Sequence, residues 1–422
     1  MTHPQQPTRA RHWVIVFAVT LAVLSYIDRV AISQAAPSIS HDLGFDKQQM
    51  GLIFSAFALA YAMFEIPGGW LGDWMGPRRV LMRIVLWWSF FTVATGWMWN
   101  FTSMWVTRFL FGAGEAGCFP NLTKSFTTWL PAHERVRAQG IMWSFARWGG
   151  AFTPPLFAVL FAMMGWRQVF YVFGAVGLVW AVLFFRWYRD NPKDHPSVNA
   201  AELALLRGAE DTASGHGDVP WGKLISNRSV WLLWAQYFLI TYPWYFYITW
   251  LPTYLQEGRH LEMQPAARYA ILPLLFGGFG SMTAGLLSKY LAQKLGSLDR
   301  SRRILGVAGF LGACGFLLLC MVLRDPLFAM LAMGMASFCN DIVMPGAWGG
   351  CMDIGGKYAG TLSGSMNMMG NAAGILAPTI GGFILKRTGG DWTLFLYSMA
   401  FAYFLGAFCW PFIDTSKQLE QS

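Results

Sequence analysis

The sequence predicts an all-α membrane protein of about twelve transmembrane helices, and three observations lead to that prediction. Apolar residues make up 55% of the 422 positions and charged residues only 13%, about half the usual charged share of a soluble protein. Apolar runs of about twenty residues, the length that crosses a bilayer, recur along the whole chain. A soluble chain would need amphipathic helices, but these runs are apolar on every side.

Twelve predicted spans follow one another and are separated by polar loops. They cover residues 12–35, 49–70, 80–99, 103–127, 136–163, 166–187, 229–256, 267–290, 302–322, 326–350, 359–386 and 392–413. The one long hydrophilic stretch is 188–228, which includes Ser214–Asp218. We therefore expect an N-terminal six-helix half at 1–187, a cytoplasmic linker at 188–228 and a C-terminal six-helix half at 229–422.

The basic residues predict the orientation of these spans. With the N-terminus inside, and with residues near the span ends counted in the adjacent loops, 21 of the 31 Lys and Arg residues lie in cytoplasmic segments and 7 lie in external loops. The remaining three, Arg29, Arg108 and Arg147, lie within spans. This threefold bias predicts that both termini lie in the cytoplasm, and we expect the chain to lie in the inner membrane. The net charge of +9 has the same origin, so it does not indicate nucleic-acid binding.

The cysteines and loops give no sign of a cofactor. Six cysteines lie within or at the ends of spans, without a paired framework or metal-ligand spacing, and are interpreted as small core residues; they are Cys118, Cys314, Cys320, Cys339, Cys351 and Cys409. We also find no phosphate-binding loop. The expected energy source is therefore an ion gradient, with no metal or bound cofactor.

Charged side chains inside the spans carry the strongest functional signal. Each is expensive in a bilayer, so it tends to face a cavity or another charge. Asp28 and Arg29 are adjacent, point about 100° apart on a helix and need partners elsewhere. Arg108 and Glu115 are seven residues apart, which places them on one helix face. Spans 1 and 4 therefore each offer an acid and a base.

These four charges suggest separate anion and proton sites. Arginine keeps its charge and forms a bidentate fork with a carboxylate, so Arg29 is expected to bind the substrate. Desolvation favours a neutral carboxyl and a nearby arginine favours a charged one. Asp28 and Glu115 are therefore expected to bind and release protons, with Arg108 setting that balance. The alternative is a static ion-pair network that holds spans 1 and 4 together.

The loop between spans 2 and 3 carries the most specific motif, Gly69-Trp-Leu-Gly-Asp73-Trp-Met-Gly76-Pro-Arg78-Arg79. Its glycines permit a tight turn, and Asp73 can cap a helix or pair with an arginine. The motif resembles the signature loop of the major facilitator superfamily, which implies gating or structural roles for Asp73, Arg78 and Arg79. The alternative is an ordinary basic turn. Trp74 replaces a basic residue that the family usually has, so one gating ion pair would be missing.

Four stretches resemble, within that superfamily, the anion:cation symporter family of sugar-acid transporters and vesicular glutamate and sialic-acid carriers. They are Tyr26–Arg29, Ala60–Gly69, Arg108–Glu115 and the glycine-rich span 11. The resemblance implies the major facilitator fold, with two six-helix halves in pseudo-two-fold symmetry, and similar roles for the acids and arginine of spans 1 and 4. It points to a sugar acid such as a hexonate, hexuronate or aldarate.

Further substrate-binding candidates come from five spans: Tyr26, Tyr61, Arg147, Tyr242, Trp244, Asn367 and Asn371. Arg147 stands where the sugar-acid transporters usually have an uncharged polar residue, and it aligns with Asn371 across a weak internal repeat. It would accept a second carboxylate, or else have a structural role, either by pairing with Glu65 or Asp341 or by approaching a helix end. Glu65 itself is expected to have a gating or structural role, with proton carriage as the alternative.

The tyrosines of span 7 flank Pro243, where we expect the helix to break. Their hydroxyls would bond sugar hydroxyls, with interfacial packing as the alternative.

The function that the sequence favours is import of a small organic anion by proton symport through alternating access. The nearest variants are transport of an aromatic or short dicarboxylate and uncoupled uniport or export. An enzyme or sensor is not supported, because no nucleophile–base pair or signalling domain is found. The acids in the spans favour protons, and sodium stays open. We expect a monomer in the lipid bilayer, without a nucleic-acid partner.

Overall fold

The computed structural model describes residues 6–45, 47–206, 219–251 and 254–419, and within them the secondary structure is helical. The predicted linker segment Ser214–Asp218 lies outside the described residues. The α-helices are α1 Ala10–Leu43, α2 Lys47–Met75, α3 Pro77–Thr95, α4 Phe101–Glu115, α5 Cys118–Trp129, α6 Ala132–Trp187, α7 Ala200–Leu205, α8 Trp221–Ser226, α9 Arg228–Thr249, α10 Met263–Leu295, α11 Leu298–Val322, α12 Pro326–Gly355, α13 Ala359–Thr388 and α14 Thr393–Cys409. The expectation of an all-α protein is confirmed for this part of the chain.

Two backbone breaks modify the predicted spans. The fourth span is divided at Gly117, whose φ of 83° separates α4 from α5. The fifth and sixth predicted spans are two helices within α6, and they meet at a kink at Gly165, which leaves helical geometry with φ 76° and ψ 167°. By contrast, α9 continues through Pro243, so the expected break there is wrong.

Seven segments of the described chain are long and apolar enough to cross a membrane by themselves. They are Ala10–Ala36, Leu52–Met75, Leu156–Trp187, Arg268–Leu295, Leu298–Val322, Pro326–Ala377 and Thr393–Phe412. α4 and α5 are 15 and 12 residues long. Each is too short to span a bilayer alone, because Gly117 divides the apolar run.

The first compact unit comprises Met1–Arg135, Phe152–Val219 and Gly355–Ser365. Within it, α2 and α3 pack against α4, and α1 packs against α5. Glycine permits the closest of these contacts: a Cβ on Gly117 would lie 2.6 Å from the Gly68 Cα, and one on Gly112 would lie 2.5 Å from the Phe57 carbonyl oxygen. Small residues let apolar helices approach closely inside a bilayer, where packing rather than water drives association.

The second compact unit comprises Val136–Ala151, Pro220–Ile354 and Met366–Ser422. Within it, α14 packs against both α11 and α9, and α10 packs against α11. Large side chains pack against glycines here, because Trp410 covers Gly306 and Phe310 covers Gly406. The predicted halves at 1–187 and 229–422 stay a prediction.

The described part of the linker is held against the N-terminal segment. Glu202 is fully buried, and its carboxylate accepts two hydrogen bonds from Arg11, one from the backbone N–H at 3.1 Å and one from the side-chain Nη1 at 3.0 Å. His195 packs between Trp129 and Trp187, and its Nδ1 accepts a hydrogen bond from the Ser197 N–H at 3.2 Å. Burial lowers the pKa of the His195 imidazole, which favours the neutral ring that this acceptor role requires.

The break at Gly117 can be tested by adding a single methyl group. We expect Gly117→Ala to destabilise the protein by about 3 kcal/mol, because an L-residue at positive φ is strained and the new Cβ would overlap α2. Thermal unfolding of the detergent-solubilised protein measures the effect. Gly315→Ala is the matched control, since a Cβ there meets nothing within 4 Å. Equal melting temperatures for the two variants would contradict this account.

Candidate functional site

The first unit contains a buried ion pair between α1 and α4. Arg29 Nε donates to Glu115 Oε1 at 2.8 Å, and Ser25 Oγ donates to the same oxygen. The Glu115 side chain is fully buried, whereas the Arg29 side chain keeps 24% of its surface exposed. We predicted that the adjacent Asp28 and Arg29 would need partners elsewhere. The geometry agrees for Arg29, because the acid that it bonds to is Glu115 of α4.

Aromatic rings surround the Arg29 guanidinium. The distances from Cζ to the ring centroids are 4.6 Å for Tyr61, 5.3 Å for Phe57 and 5.6 Å each for Tyr26 and Phe119. Such contacts stabilise a desolvated cation by about 0.5–2 kcal/mol each. The rings also leave the cation few polar competitors, so its strongest partner is a carboxylate.

Both members of this pair keep unused hydrogen-bonding capacity. Arg29 Nη2 and Glu115 Oε2 are buried and make no hydrogen bond to the described residues. A buried polar atom without a partner costs about 1–3 kcal/mol. The pair therefore has one donor that could bind another oxyanion and one acceptor that could bind a proton.

Asp28 and Arg108 lie beside this pair in the same unit. The Asp28 carboxyl lies near the Arg108 guanidinium and the Trp88 and Thr92 side chains of α3. Asp28 is 4% exposed and Arg108 is 2% exposed. Arg108 also lies 4.2 Å from the Phe111 ring centroid, and its Nε makes no hydrogen bond to the described residues. The structure thus brings together all four charges that the sequence selected in spans 1 and 4.

The second unit contains a separate buried ion pair between α6 and α12. Arg147 Nε and Nη2 donate to the two Asp341 carboxylate oxygens at 3.0 and 3.1 Å. Arg147 is 2% exposed and Asp341 is fully buried, and the Trp244 ring lies 4.3 Å from the guanidinium carbon. Asp341 is one of the two structural partners that the sequence offered for Arg147, and the functional role of Arg147 stays a prediction.

Amide side chains of α13 bond to tyrosines of α9. Tyr245 Oη donates to Asn371 Oδ1 at 3.0 Å, and Tyr237 Oη donates to Asn367 Oδ1 at 3.4 Å. Tyr242 differs, because its hydroxyl lies 3.1 Å from the Ser398 Oγ instead. The predicted residues Asn367 and Asn371 therefore bond to tyrosines of α9, whereas the predicted Tyr242 contacts Ser398 of α14.

Asp73 of the signature loop caps the start of α13 within the first unit. Its Oδ1 accepts from the Gly360 N–H at 3.1 Å, and its Oδ2 accepts from the Thr361 N–H and Oγ1 at 2.6 and 2.7 Å. Lys124 Nζ lies 3.5 Å from Oδ1, and both side chains are buried. A carboxylate at a helix N-terminus satisfies free N–H groups and interacts well with the helix dipole.

The other loop residues make different contacts. The Arg78 N–H donates to Asp190 Oδ1 at 2.8 Å, and its guanidinium donates to the Phe185 carbonyl at 2.7 Å. Arg79 is exposed, and Glu65 is fully buried on α2 one turn after Tyr61. Their predicted gating or structural roles stay predictions.

Several site residues were missed from the sequence. Ser25 lies one helical turn before Arg29, so i, i+4 spacing could have selected it. Tyr237 lies two turns before Trp244 on the same face of α9. Phe57 and Phe119 had no such signal, because their contact with Arg29 depends on helix packing and on the break at Gly117.

Buried ion pairs inside long apolar helices are typical of a polytopic membrane transporter. Comparison with known proteins gives the family: residues 18–378 match the Major Facilitator Superfamily, and the chain belongs to it. The predicted family and fold class are thereby confirmed, and the chain is a multi-pass membrane transporter rather than an enzyme.

Named relatives are similar over most of their length. A probable sulfoacetate transporter of Cupriavidus necator is 37% identical over 91% of this chain and 90% of the relative. A probable galactarate/D-glucarate transporter of Bacillus subtilis is 32% identical over 89% and 86%. A probable L-galactonate transporter of Escherichia coli is 30% identical over 87% and 81%. These relatives are consistent with the anion:cation symporter family that the sequence resembles.

Solved structures share the fold at low sequence identity. A proton:xylose symporter matches with a TM-score of 0.74 at 14% identity, over 97% of this chain and 98% of that chain. The Escherichia coli fucose:proton symporter matches with a TM-score of 0.71 at 17% identity, over 96% and 100%.

Replacing Asp73 by asparagine separates the contribution of its charge to stability from the contribution of its hydrogen bonds. Asparagine caps a helix about as well as aspartate, so capping alone predicts little effect from Asp73→Asn. Because buried Lys124 would lose the negative charge of Asp73, the first of its electrostatic partners, we expect a loss on the order of 3 kcal/mol and a lower melting temperature. Asp391→Asn is the control, since Asp391 is exposed and its Oδ1 accepts from the Thr393 N–H at 2.8 Å. An unchanged melting temperature for Asp73→Asn would show that the charge is not needed.

Proposed function

We propose that this protein imports a small organic anion by proton symport, through alternating access between the two sides of the inner membrane. The observation that carries the proposal is the Arg29–Glu115 pair, in which a partly exposed arginine and a buried acid each keep an unused polar atom. An ion pair built only for stability would satisfy those atoms, because each costs free energy when it is left alone.

Anion binding at this pair is a competition for Arg29. A substrate carboxylate first accepts from the unused Nη2 and then replaces Glu115 as the partner of the guanidinium. Glu115 loses its counter-charge inside a fully buried site, and the cheaper state of a buried lone carboxyl is the protonated one. Substrate binding therefore draws a proton onto Glu115. Tyr26 and Tyr61 lie close enough to the guanidinium to contact the same substrate.

Asp28 and Arg108 form a second, adjacent proton-binding pair in this scheme. Asp28 lies near Arg108, whereas the carboxylate that holds Arg29 is Glu115, so the charge of Asp28 can change without directly releasing the substrate arginine. Arg108 also lies close to Glu115 and favours the charged form of whichever acid is ionised. We propose that the two acids share this cation, so that a proton on one stabilises the charge of the other.

The substrate class is suggested by the relatives. Their names include galactarate/D-glucarate, L-galactonate and hexuronate transporters, which supports a sugar acid such as an aldarate, hexonate or hexuronate. The hydroxyl groups of such a substrate could form hydrogen bonds with Tyr242, Asn367 and Asn371. Arg147 and Trp244 could bind a second acidic group.

A short dianion is the second candidate substrate. The relative at 37% identity is a probable sulfoacetate transporter, and sulfoacetate has two carbons and two acidic groups. Measuring the uptake of galactarate and of sulfoacetate by the same proteoliposomes separates the two candidates.

We further propose that both termini and the linker face the cytoplasm. In this proposal residues 1–187 and 229–422 form the moving halves, and the protein works as a monomer. Asp73, Arg78, Arg79 and Glu65 would serve the gate, and sodium coupling is an outcome that the uptake assay can detect.

Removing Arg29 tests the proposal most directly. We expect Arg29→Ala proteoliposomes to lose saturable uptake of sugar acids, with at least a 100-fold lower rate, because a charge-assisted bidentate contact is lost. Arg167→Ala is the control, since Arg167 pairs with Asp42 near the surface and should leave uptake unchanged. Saturable uptake by a correctly inserted Arg29→Ala protein would remove Arg29 from the substrate site.

Neutralising Glu115 tests the coupling rather than the binding. We expect Glu115→Gln to retain exchange of labelled for unlabelled substrate across the membrane while losing accumulation driven by a pH gradient, because the amide mimics the protonated acid. Glu257→Gln, at an exposed position, provides the control and should keep both activities. Downhill uptake that persists in Glu115→Gln and is also insensitive to the pH gradient in the parent protein would favour uncoupled uniport.

A further inference from the structure

In the second unit, Arg147 and Asp341 form a bidentate ion pair in which both carboxylate oxygens accept hydrogen bonds. Two nitrogen donors meet two carboxylate oxygens at 3.0 and 3.1 Å, and Asn340 Nδ2 adds a third hydrogen bond to Asp341 Oδ1 at 3.1 Å. A fully buried pair usually gains little stability over an apolar replacement of similar volume. Stability alone therefore does not explain two charges in this position.

The unused polar atoms lie on the two neighbours of the pair. Asn340 is 2% exposed, and its carbonyl Oδ1 is a buried acceptor without a hydrogen bond to the part of the chain described. Trp244 stacks its ring on Arg147, and its Nε1–H is a buried donor that likewise has no partner among the described residues. The acceptor thus lies beside the acid, and the donor lies beside the cation.

This arrangement matches the needs of a site that binds a proton and an anion together. A protonated Asp341 would carry an O–H that needs an acceptor, and rotation of the Asn340 amide would present Oδ1 to it. An arginine released by that acid would need an oxyanion, which could also accept from the Trp244 N–H. Asn340 Oδ1 is therefore the acceptor that protonation of Asp341 requires, and the Trp244 N–H is a donor that suits an anion bound at Arg147.

We propose that Arg147 and Asp341 form a second proton-and-anion site: Asp341 takes up a proton, and Arg147 passes its fork to a carboxylate or sulfonate of the transported anion. This inference rests on the proposed proton-coupled anion transport. The charge of the site is conserved, since one proton and one negative charge enter together. Met344, whose Sδ lies 3.6 Å from Arg147 Nη2, is a flexible neighbour that the anion can displace.

The groups that face Asp341 leave Arg147 as its only cationic partner among the described residues. Tyr247 of α9 and Tyr403 of α14 face it with phenol groups. Gly277 of α10 gives its carboxylate room, because a Cβ there would lie 2.4 Å from Oδ2. Protonation of Asp341 therefore removes the negative charge that Arg147 holds through two hydrogen bonds, and it leaves Asp341 with neighbours that tolerate a neutral acid.

The test measures proton uptake linked to binding. The affinity of the purified full-length protein for galactarate, and separately for sulfoacetate, is determined by titration calorimetry from pH 5 to 8, and the slope of log affinity against pH counts protons. We expect Asp341→Asn to lower that count by about one proton per anion and to bind at least 10-fold more tightly than the parent at alkaline pH. An unchanged count overturns the proposal.

A second variant keeps the test decisive if Asp341→Asn fails to fold. Trp244→Phe keeps the ring that stacks on Arg147 and removes only the N–H. We expect it to weaken binding about 10-fold at every pH with the proton count unchanged. Unchanged affinity in Trp244→Phe shows that no anion reaches Arg147 and also overturns the proposal. The double variant Asp341→Asn/Arg147→Gln, which leaves no unpaired charge, should fold, bind weakly and show the lower proton count.

Arg29→Ala distinguishes failure of this inference from failure of the proposed function. If neither anion binds the parent protein, or if Arg29→Ala binds normally, the proposed function fails. If binding depends on Arg29 while Asp341→Asn keeps the parent proton count, only the second site fails.

Discussion

The organisation of the first unit depends on the ion pair between Arg29 and Glu115, which lies among apolar helices and away from water. Each charge would cost several kcal/mol in hydrocarbon, so α1 and α4 must bring them together. Glycines make this possible: α2 approaches α4 through Gly112 and Gly117, and the phenyl ring of Phe57 is thereby held beside Arg29. Helix packing and ion-pair geometry therefore constrain each other.

Much of the fold could be predicted from local properties of the chain. Spans follow from apolar length, and the presence of partners for Asp28 and Arg29 follows from the cost of intramembrane charge. Helical spacing also indicated that adjacent Asp28 and Arg29 would face different partners. These arguments need only the sequence within one helix, and they correctly selected the charges that the first unit brings together.

The rest required contacts between helices that no local pattern encodes. The sequence offered both Glu65 and Asp341 as structural partners for Arg147, and only packing of α6 on α12 selects Asp341. Pro243 illustrates the opposite error, since a proline predicts a break but α9 continues through it. A proline removes one backbone donor, and a buried helix can tolerate that loss when neighbours satisfy the freed carbonyl. The break in span 4 instead falls at Gly117, because a glycine can adopt positive φ at the closest contact with α2.

The two ion pairs differ in how much each must give up to bind an anion. Arg29 holds Glu115 through one nitrogen and keeps Nη2 unused, so an oxyanion can bind before the existing hydrogen bond breaks. Arg147 holds Asp341 through two nitrogens, so an anion must replace a complete fork. Charge-assisted hydrogen bonds are worth about 1.5–3 kcal/mol each, and only neutralisation of Asp341 offsets that loss. In the proposed mechanism, anion binding at Arg29 therefore precedes protonation of Glu115, whereas at Arg147 protonation of Asp341 must come first. If both sites operate, the order of proton and anion binding is opposite in the two units.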